Sequence, residues 1–275
     1  MRVLLWIQYR GKGFAGFQRQ PDLKTVAGEL EQAIYGLFKR KVKVLGSSRT
    51  DAGAHAVCHP VSFEVPDSFQ LEKLPAALNS FLPENIRAIE VKQVNGDFVP
   101  LQAAIARTYV YLVLKDARAA IYFNGLAYLP KRELTEEAKS VFKDALKIFQ
   151  GKHDFSAFAK TRSSAKSTVR TIHEVAVFES RTLLAVVFTG NGFLYGQVRN
   201  IIGASFAAAF KKVDVVRLKE ALETGKRDFP VQAVPAEGLY LYRVWFKDRN
   251  LNFEPHFPFL DIDLNVEKVL YEKNG

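Results

Sequence analysis

The chain has 275 residues, and 39 Lys and Arg against 29 Asp and Glu give it a formal charge of +10. With 48% apolar and 25% charged residues, its composition is typical of a folded protein and excludes wholesale disorder and collagen-like structure. The single cysteine, Cys58, excludes a disulfide framework and multi-cysteine metal sites, and it favours a reducing, intracellular compartment. The positive excess favours polyanionic partners such as nucleic acid or an anionic membrane surface, although many basic proteins bind neither.

Apolar segments are short throughout the sequence. The first one, Val3 to Tyr9, has the composition of a strand and lacks the small-residue cleavage site of a signal peptide. The longest, near Ile201 to Phe210, is bounded by Arg199 and Lys211 and falls short of about 18 residues. We therefore expect no transmembrane helix and no membrane partner.

The first half of the chain predicts a sheet with two helices. After the opening strand comes a glycine-rich loop with basic and aromatic residues, and Thr25 is a suitable N-cap for a helix with one apolar face. The expected elements are strands over 3–9, 42–45, 57–65 and 87–94, and helices over 25–38 and 71–82.

The second half predicts another set of strands around amphipathic helices. Its long helix has Thr135 and Glu136 near the start and Gly151 after the end, and a polar, basic stretch follows from Lys152 to Arg170. The expected elements are strands over 108–114, 172–178, 183–188 and 238–246, and helices over 134–149, 193–210 and 215–222.

These elements predict an α+β protein made of two successive units. We place the first unit, with its polar Asp-containing loop, at 1–102 and the second at 103–247. Residues 248–275 contain two prolines near their start and little periodicity, which predicts a tail packed on the surface.

The most polar loop of the chain runs from Gly46 to Ala56. It places Asp51 two residues after Arg49, between two predicted strands, and loops on a rigid scaffold commonly carry catalytic residues. Asp51 could serve as a nucleophile, a base or an orienting group. The alternative is an Asx-type turn whose Arg49 faces solvent.

A metal site near this loop has little support. His55 and His59 would share one face of a strand while Cys58 points the other way, and no further ligand completes a familiar zinc spacing. We expect Cys58 to be a small core side chain.

Two further segments contain candidate site residues. Tyr109 and Tyr111 would share a strand face beside Arg107, where aromatic rings can stack on nucleobases and the arginine can reach a phosphate; ordinary half-buried tyrosines are the alternative. In the other, a glycine-rich turn leads into an apolar helix whose Arg199 needs a carboxylate or phosphate partner, unless it extends to solvent.

Several of these segments together resemble one family in its order of motifs, the TruA family of tRNA pseudouridine synthases. The resemblance extends to about Phe246. It is carried by the segments Gly16-Phe17-Gln18-Arg19-Gln20, Ser48-Arg49-Thr50-Asp51-Ala52-Gly53-Ala54-His55-Ala56, Leu78-Asn79-Ser80-Phe81-Leu82-Pro83, Ala106-Arg107-Thr108-Tyr109-Val110-Tyr111, Gly151-Lys152-His153-Asp154-Phe155, Arg170-Thr171-Ile172, Phe193-Leu194-Tyr195 with Gln197-Val198-Arg199, and Pro235-Ala236-Glu237-Gly238-Leu239.

The resemblance implies a cytoplasmic isomerase that converts uridine to pseudouridine at positions 38 to 40 of the tRNA anticodon stem-loop, without cofactor or metal. It implies two units with mainly antiparallel sheets, joined side by side around a basic central cleft, in a homodimer. The rival hypothesis is a non-catalytic protein that binds structured RNA through the same cleft.

The resemblance also implies roles for individual residues. Asp51 would be the catalytic carboxylate, Tyr109 would stack on the target base, and Arg199 would pair with Asp51 and keep it ionised. Arg49 would lie at the mouth of the cleft. Whether the carboxylate attacks the base, attacks the sugar or removes a sugar proton stays open. The expected RNA-binding residues are Gln18, Arg107, Lys160, Arg162, Lys166 and Arg170.

The chain also departs from the family's usual pattern. Phe98-Val99-Pro100-Leu101-Gln102 stands where many members have Phe-His-Ala-Arg, so a basic contact to RNA is lost or supplied elsewhere. Arg10 stands where an aspartate is frequent, and Gly196 where a histidine is frequent. These changes bear on substrate scope more than on catalysis.

Overall fold

A computed structural model describes residues 1–160, 167–230, 232–257, 259, 261–262, 264 and 266–271. Over these residues the chain forms mixed α and β structure. The strands are β1 (Arg2–Tyr9), β2 (Leu45–Gly46), β3 (His55–Glu64), β4 (Ile86–Val94), β5 (Ala104–Leu114), β6 (Gly151–Asp154), β7 (Val169–Glu179), β8 (Leu183–Gly190) and β9 (Leu239–Phe246). The helices are α1 (Val26–Phe38), α2 (Leu74–Asn79), α3 (Pro100–Ala103), α4 (Glu136–Lys147), α5 (Gln197–Ala209), α6 (Val215–Thr224) and α7 (Glu267–Tyr271).

The chain divides into two compact units. Unit 1 comprises 1–107 and 240–259, and unit 2 comprises 108–239 and 260–275. Residues 240–259 join the first unit because β9 pairs in parallel with β3, at His55 with Tyr240 and Ala56 with Leu241. The domain boundaries expected at 102 and 247 stay predictions, since compactness alone does not define an independently folding domain.

Unit 1 contains a sheet in the order β4-β1-β3-β9, with β2 on β3. The central strand β1 runs antiparallel to both β3 and β4. Because it is covered on both faces, the residues from Val3 to Ile7 are all fully buried, which explains the unbroken apolar run in the sequence. Helix α1 begins after Thr25, whose hydroxyl accepts a hydrogen bond from Gly28 N at 3.2 Å, as predicted.

Unit 2 contains a sheet in the order β5-β8-β7-β6, in which β7 is antiparallel to β6 and β8. Helices α4 and α5 bury aromatic side chains between them: the rings of Phe142 and Phe206 stack with centroids 4.4 Å apart. The cap of α4 is Thr135, as predicted, and its hydroxyl accepts from Ala138 N at 3.2 Å. Mixed α and β structure with mainly antiparallel strands confirms the predicted fold class.

Several predicted elements have shorter bounds than expected. The strand predicted over 42–45 is reduced to the two residues of β2, and the helix predicted over 71–82 is a 3₁₀ turn followed by α2. Helix α5 begins at Gln197 rather than Phe193 because Gly196, with φ of 71°, ends the preceding turn. The tail expected over 248–275 stays a prediction; among its described residues, α7 forms near the end, with Val266 and Leu270 buried. Within the described residues, every helix is too short or too polar to cross a membrane.

Candidate active site

The loop that displays Asp51 is fixed to unit 1 by backbone hydrogen bonds on both sides of this residue. Phe17 N donates to Thr50 O at 3.3 Å, and Gly53 N donates to Phe14 O at 3.3 Å. A turn closes the loop, with Ala54 N donating to Asp51 O at 3.1 Å. The half-buried carboxylate therefore extends from a backbone held in one conformation.

Two glycines allow the segment after β1 to approach this loop. A Cβ on Gly11 would lie 2.0 Å from Ala54 O, which is a direct clash with the backbone. Gly16 has a φ of +99°, and a Cβ there would lie 2.7 Å from Thr50 O. Gly11 and Gly16 are therefore required for the close approach of this segment to the Asp51 loop.

A chain of buried, hydrogen-bonded polar side chains connects the loop to strands β1 and β3. The Tyr9 hydroxyl lies 2.7 Å from Thr50 Oγ1 and 3.0 Å from His59 Nδ1, and all three residues are less than a tenth exposed. The Phe17 ring packs on the His59 ring at a centroid distance of 4.1 Å. Because Thr50 directly precedes Asp51, this chain, called here the Tyr9–Thr50–His59 network, fixes the backbone from which the carboxylate extends.

His59 is a neutral member of this network. Burial, and then the positive charge of Arg107, lower the pKa of His59 to about 3. Its Nε2 is buried and makes no hydrogen bond to the described residues. A neutral imidazole can accept or donate at Nδ1 toward Tyr9 without adding positive charge beneath Asp51.

Arg107 holds the opening of the same loop. Its Nε and Nη2 donate to Ser47 O at 3.2 and 3.0 Å, and its Nη2 also donates to Leu101 O at 2.8 Å. The residue is only 8% exposed. The guanidinium thus connects α3 to the start of the Asp51 loop, and its contact with RNA stays a prediction.

The other expected residues of unit 1 lie on its surface. Arg49 and Gln18 are both exposed. His55, considered above as a metal ligand, accepts from Gly11 N at 3.0 Å and stacks on Tyr240 at 4.6 Å. Cys58 is fully buried, and burial raises the pKa of its thiol well above the ordinary value, in agreement with a core side chain.

Tyr109 and Arg199 lie in unit 2. Tyr109 is 7% exposed, and its ring meets Phe193 edge-to-face at 5.2 Å. Tyr111 is fully buried and donates to Pro235 O at 2.8 Å, so the idea that both tyrosines form a stacking platform is wrong for Tyr111. The sequence alternation could not reveal this, since both faces of β5 are buried.

Arg199 is a partly exposed residue on an otherwise largely buried helix. On α5 only Arg199 and Ala207 escape full burial. Arg199 Nε donates to Val234 O at 2.7 Å, and Val234 N donates back to Arg199 O at 3.2 Å. The side chain is therefore oriented by the segment around Val234, a contact that sequence spacing did not indicate.

The remaining predicted RNA-binding residues are basic side chains of unit 2. Lys160 Nζ lies over the Tyr195 ring at 4.7 Å, and Tyr195 is half exposed. Arg170 Nη1 donates to Ser167 O at 2.9 Å and Val169 O at 2.7 Å. Arg162 and Lys166 lie outside the described residues.

The Tyr9–Thr50–His59 network was missed by the sequence analysis. One available signal was His59 itself, a histidine in the middle of the largely apolar strand β3. The other was a tyrosine at the end of the apolar β1. A buried phenol and a buried imidazole each need a partner, but their pairing across the sheet requires the β1–β3 register.

Comparison with known proteins identifies the class of enzyme to which the chain is similar. The model of a family described as tRNA pseudouridine synthase matches residues 145–247. Proteins named tRNA pseudouridine synthase A match far more of the chain. The one from Coprothermobacter proteolyticus is 34% identical over 88% of this chain and 91% of its own length. The one from Acetivibrio thermocellus is 34% identical over 89% of this chain and 99% of its own.

The chain belongs to the tRNA pseudouridine synthase A family. This confirms the resemblance drawn from the motifs, and the comparisons give no support to the non-catalytic alternative. Among solved structures, 88% of the chain aligns with 59% of a chain from the crystal structure of a Cbf5-Nop10-Gar1 complex, at 12% identity and a TM-score of 0.35. The family assignment rests on the sequence relatives.

Proposed function

We propose that the chain isomerises uridine to pseudouridine at positions 38 to 40 of the tRNA anticodon stem-loop, with Asp51 as the catalytic carboxylate. Membership of a family of tRNA pseudouridine synthases supports the reaction. The observation that supports Asp51 is the rigid loop, fixed by Phe14, Phe17 and the Tyr9–Thr50–His59 network. A carboxylate held in one position can act on the same atom of each substrate.

The reaction exchanges one bond between base and sugar for another. The N1–C1′ bond breaks, the uracil turns, and a C5–C1′ bond forms; C5 loses a proton to solvent and N1 gains one. Atoms and electrons balance without an external oxidant or reductant. A side-chain carboxylate suffices for a nucleophilic or general-base role.

The target base lies in a stack and must leave it before it reacts. Extrusion costs a few kcal/mol, and stacking on an aromatic ring returns about 1–3 kcal/mol. We assign that stacking to Tyr109, whose ring orientation is set by Phe193. We assign to Arg199 the stabilisation of negative charge during catalysis, and to Arg49 a contact with the RNA backbone.

Five basic side chains and the amide of Gln18 are proposed to bind tRNA by its phosphates. Gln18, Arg107, Lys160, Arg162, Lys166 and Arg170 remain the residues proposed for this contact. Phosphate contacts fix register and orientation without reading base sequence.

We also propose that the protein acts in the cytoplasm, as a homodimer. The exposed Ile121 and Tyr122, each about four-fifths accessible, offer an apolar patch for a second copy, and the mass in solution by light scattering tests the dimer.

The deciding experiment measures hydrogen release from C5 of labelled uridine in tRNA. The native chain should release label from tRNA with uridine at positions 38 to 40. A matched tRNA with cytidine at those three positions should release none. Equal release from both substrates would overturn the assigned positions, and no release from either at saturating enzyme would overturn the activity.

A further inference from the structure

A basic pocket lies in unit 1, away from Asp51. Its volume is about 490 Å³. The charged residues that line it are Arg2, Arg40, Lys41, Lys43, Glu64 and Asp67. Three of the cations come from the run Lys39-Arg40-Lys41-Val42-Lys43, the densest positive stretch of the sequence, which the proposed function does not use.

The acidic side chains of the pocket already have partners. Glu64 pairs with Arg2 at 3.1 Å, and Asp67 pairs with the Met1 amino group. That pairing, helped slightly by Arg40, lowers the pKa of Asp67. Lys41 and Lys43 are exposed and make no ion pair within the part of the chain that the structure describes. The pocket therefore retains a surplus of positive charge.

The basic run is held by a fixed frame at both ends. Lys39 ends α1 in the left-handed conformation, with its N–H donating to Tyr35 O at 2.8 Å. At the other end, the buried Val44 donates its N–H to Glu31 Oε1 at 3.1 Å. Because the backbone is anchored at both ends, the exposed cations between them can bind an external anion with little loss of backbone freedom.

The pocket lies at the opposite end of β1 and β3 from the Asp51 loop. Arg2 begins β1 and pairs with Glu64 at the end of β3, whereas Tyr9 ends β1 beside Thr50. Seven strand residues at about 3.4 Å each put the two places roughly 24 Å apart. A ligand in the pocket is therefore several nucleotides from any base that reaches Asp51.

We propose that this pocket binds the phosphate backbone of the tRNA substrate at a distance from the modified nucleotide. This inference rests on the proposed function, which supplies the polyanion. Lysines on flexible stems suit phosphates as point charges and select no base. The contact adds affinity that is independent of sequence and depends strongly on salt.

The test compares two triple variants of the full chain. The pocket variant is Arg40→Gln, Lys41→Gln and Lys43→Gln. The control, Lys212→Gln, Lys219→Gln and Lys226→Gln, removes the same charge from exposed lysines of unit 2. The dissociation constant for unmodified tRNA is measured from 0.1 to 1 M salt, and circular dichroism checks that each variant is folded.

The pocket variant should flatten the slope of log affinity against log salt by about 2 to 3, since each phosphate contact contributes about 0.7 to 0.9. The fold loss of its affinity should be about 100 to 500 times larger at 0.1 M salt than at 1 M salt. The control should keep the native slope. An unchanged slope in the pocket variant, or the same loss in the control, would overturn the proposal.

Two further outcomes separate the pocket from the function and from another partner. If the native chain forms pseudouridine while the pocket variant binds tRNA normally, the pocket proposal fails and the function stands. If the native chain forms none but tRNA binding still depends on the pocket, the function fails and the pocket stands. Unchanged tRNA binding with lost binding of polyglutamate would assign the pocket to an acidic protein instead and overturn the RNA assignment.

Discussion

The two ends of strand β1 lie in contrasting surroundings. At Tyr9 the side chains are buried, neutral and joined by hydrogen bonds to Thr50 and His59. At Arg2 they are charged and face a pocket with a surplus of exposed cations. The buried end fixes the geometry that a reaction needs, whereas the charged end attracts a polyanion without fixing it. The Tyr9 end of β1 thus serves the positioning of the catalytic loop, and the Arg2 end serves the affinity for a polyanion.

The largest effect is expected at Gly11. The change Gly11→Ala places a Cβ 2.0 Å from Ala54 O, so the Asp51 loop must move. We expect the free energy of unfolding to fall by more than about 3 kcal/mol and pseudouridine formation to be lost. Denaturant unfolding and the C5-release assay measure both. Gly96→Ala is the control, because nothing lies within 4 Å of its Cβ, and it should stay within about 0.5 kcal/mol. Equal effects at both glycines would show that the close approach does not matter.

A smaller effect is expected when the network loses its central hydroxyl. Tyr9→Phe leaves the buried Thr50 and His59 without their shared partner, at a cost of about 1–3 kcal/mol. The Asp51 loop should then sample other positions, which lowers kcat by about 10- to 100-fold with little change in tRNA affinity. The exposed Tyr35→Phe serves as the control. A loss that appears only in affinity would contradict a positioning role.

The network also predicts a dependence of stability on pH. Since the pKa of His59 is about 3 when folded and about 6.5 when unfolded, the unfolded state binds the proton between these values. Stability should therefore rise with pH across this window, by up to about 1.4 kcal/mol per pH unit. Glu179, whose pKa is lowered to about 2 chiefly by its hydrogen bonds from Lys115 and Lys139, contributes mainly below pH 4.5.

Denaturant unfolding between pH 5 and 6.5 isolates the histidine. The unfolding free energy of the native chain should rise with pH over that range, and that of His59→Gln should rise less steeply. Parallel curves for the two proteins would mean that His59 titrates normally in the folded state.

The smallest effect on stability is expected at the charged end. The pocket variant of Arg40, Lys41 and Lys43 removes exposed side chains without a protein ion pair within 4 Å among the described residues, so its unfolding free energy should change by less than about 0.5 kcal/mol. Thermal or denaturant unfolding tests this. A stabilisation well above that limit would show that the surplus charge repels itself strongly, and a large destabilisation would show that these cations hold the fold together.

Local chemistry decided which features were predictable from the sequence. The caps Thr25 and Thr135, the apolar β1 and the glycine-rich Asp51 loop follow from nearest neighbours along the chain, and the structure confirms them. The contact between Arg107 and Ser47 O joins residues 60 positions apart. Its geometry depends on sheet order, which periodicity does not contain. The burial of Tyr111 was not predictable either. Both faces of β5 are covered, and such a strand shows no alternation of polar and apolar residues.

The proposed function depends most directly on Asp51 acting in the reaction rather than in binding. The decisive measurement is the single-turnover rate of pseudouridine formation by Asp51→Asn at saturating enzyme, with the dissociation constant for tRNA measured on the same preparation. We predict a rate at least about 1,000-fold below the native one. The dissociation constant should be nearly unchanged, since phosphate contacts dominate affinity. A native rate, or a loss explained wholly by weaker binding, would contradict the assignment of Asp51 as the catalytic carboxylate.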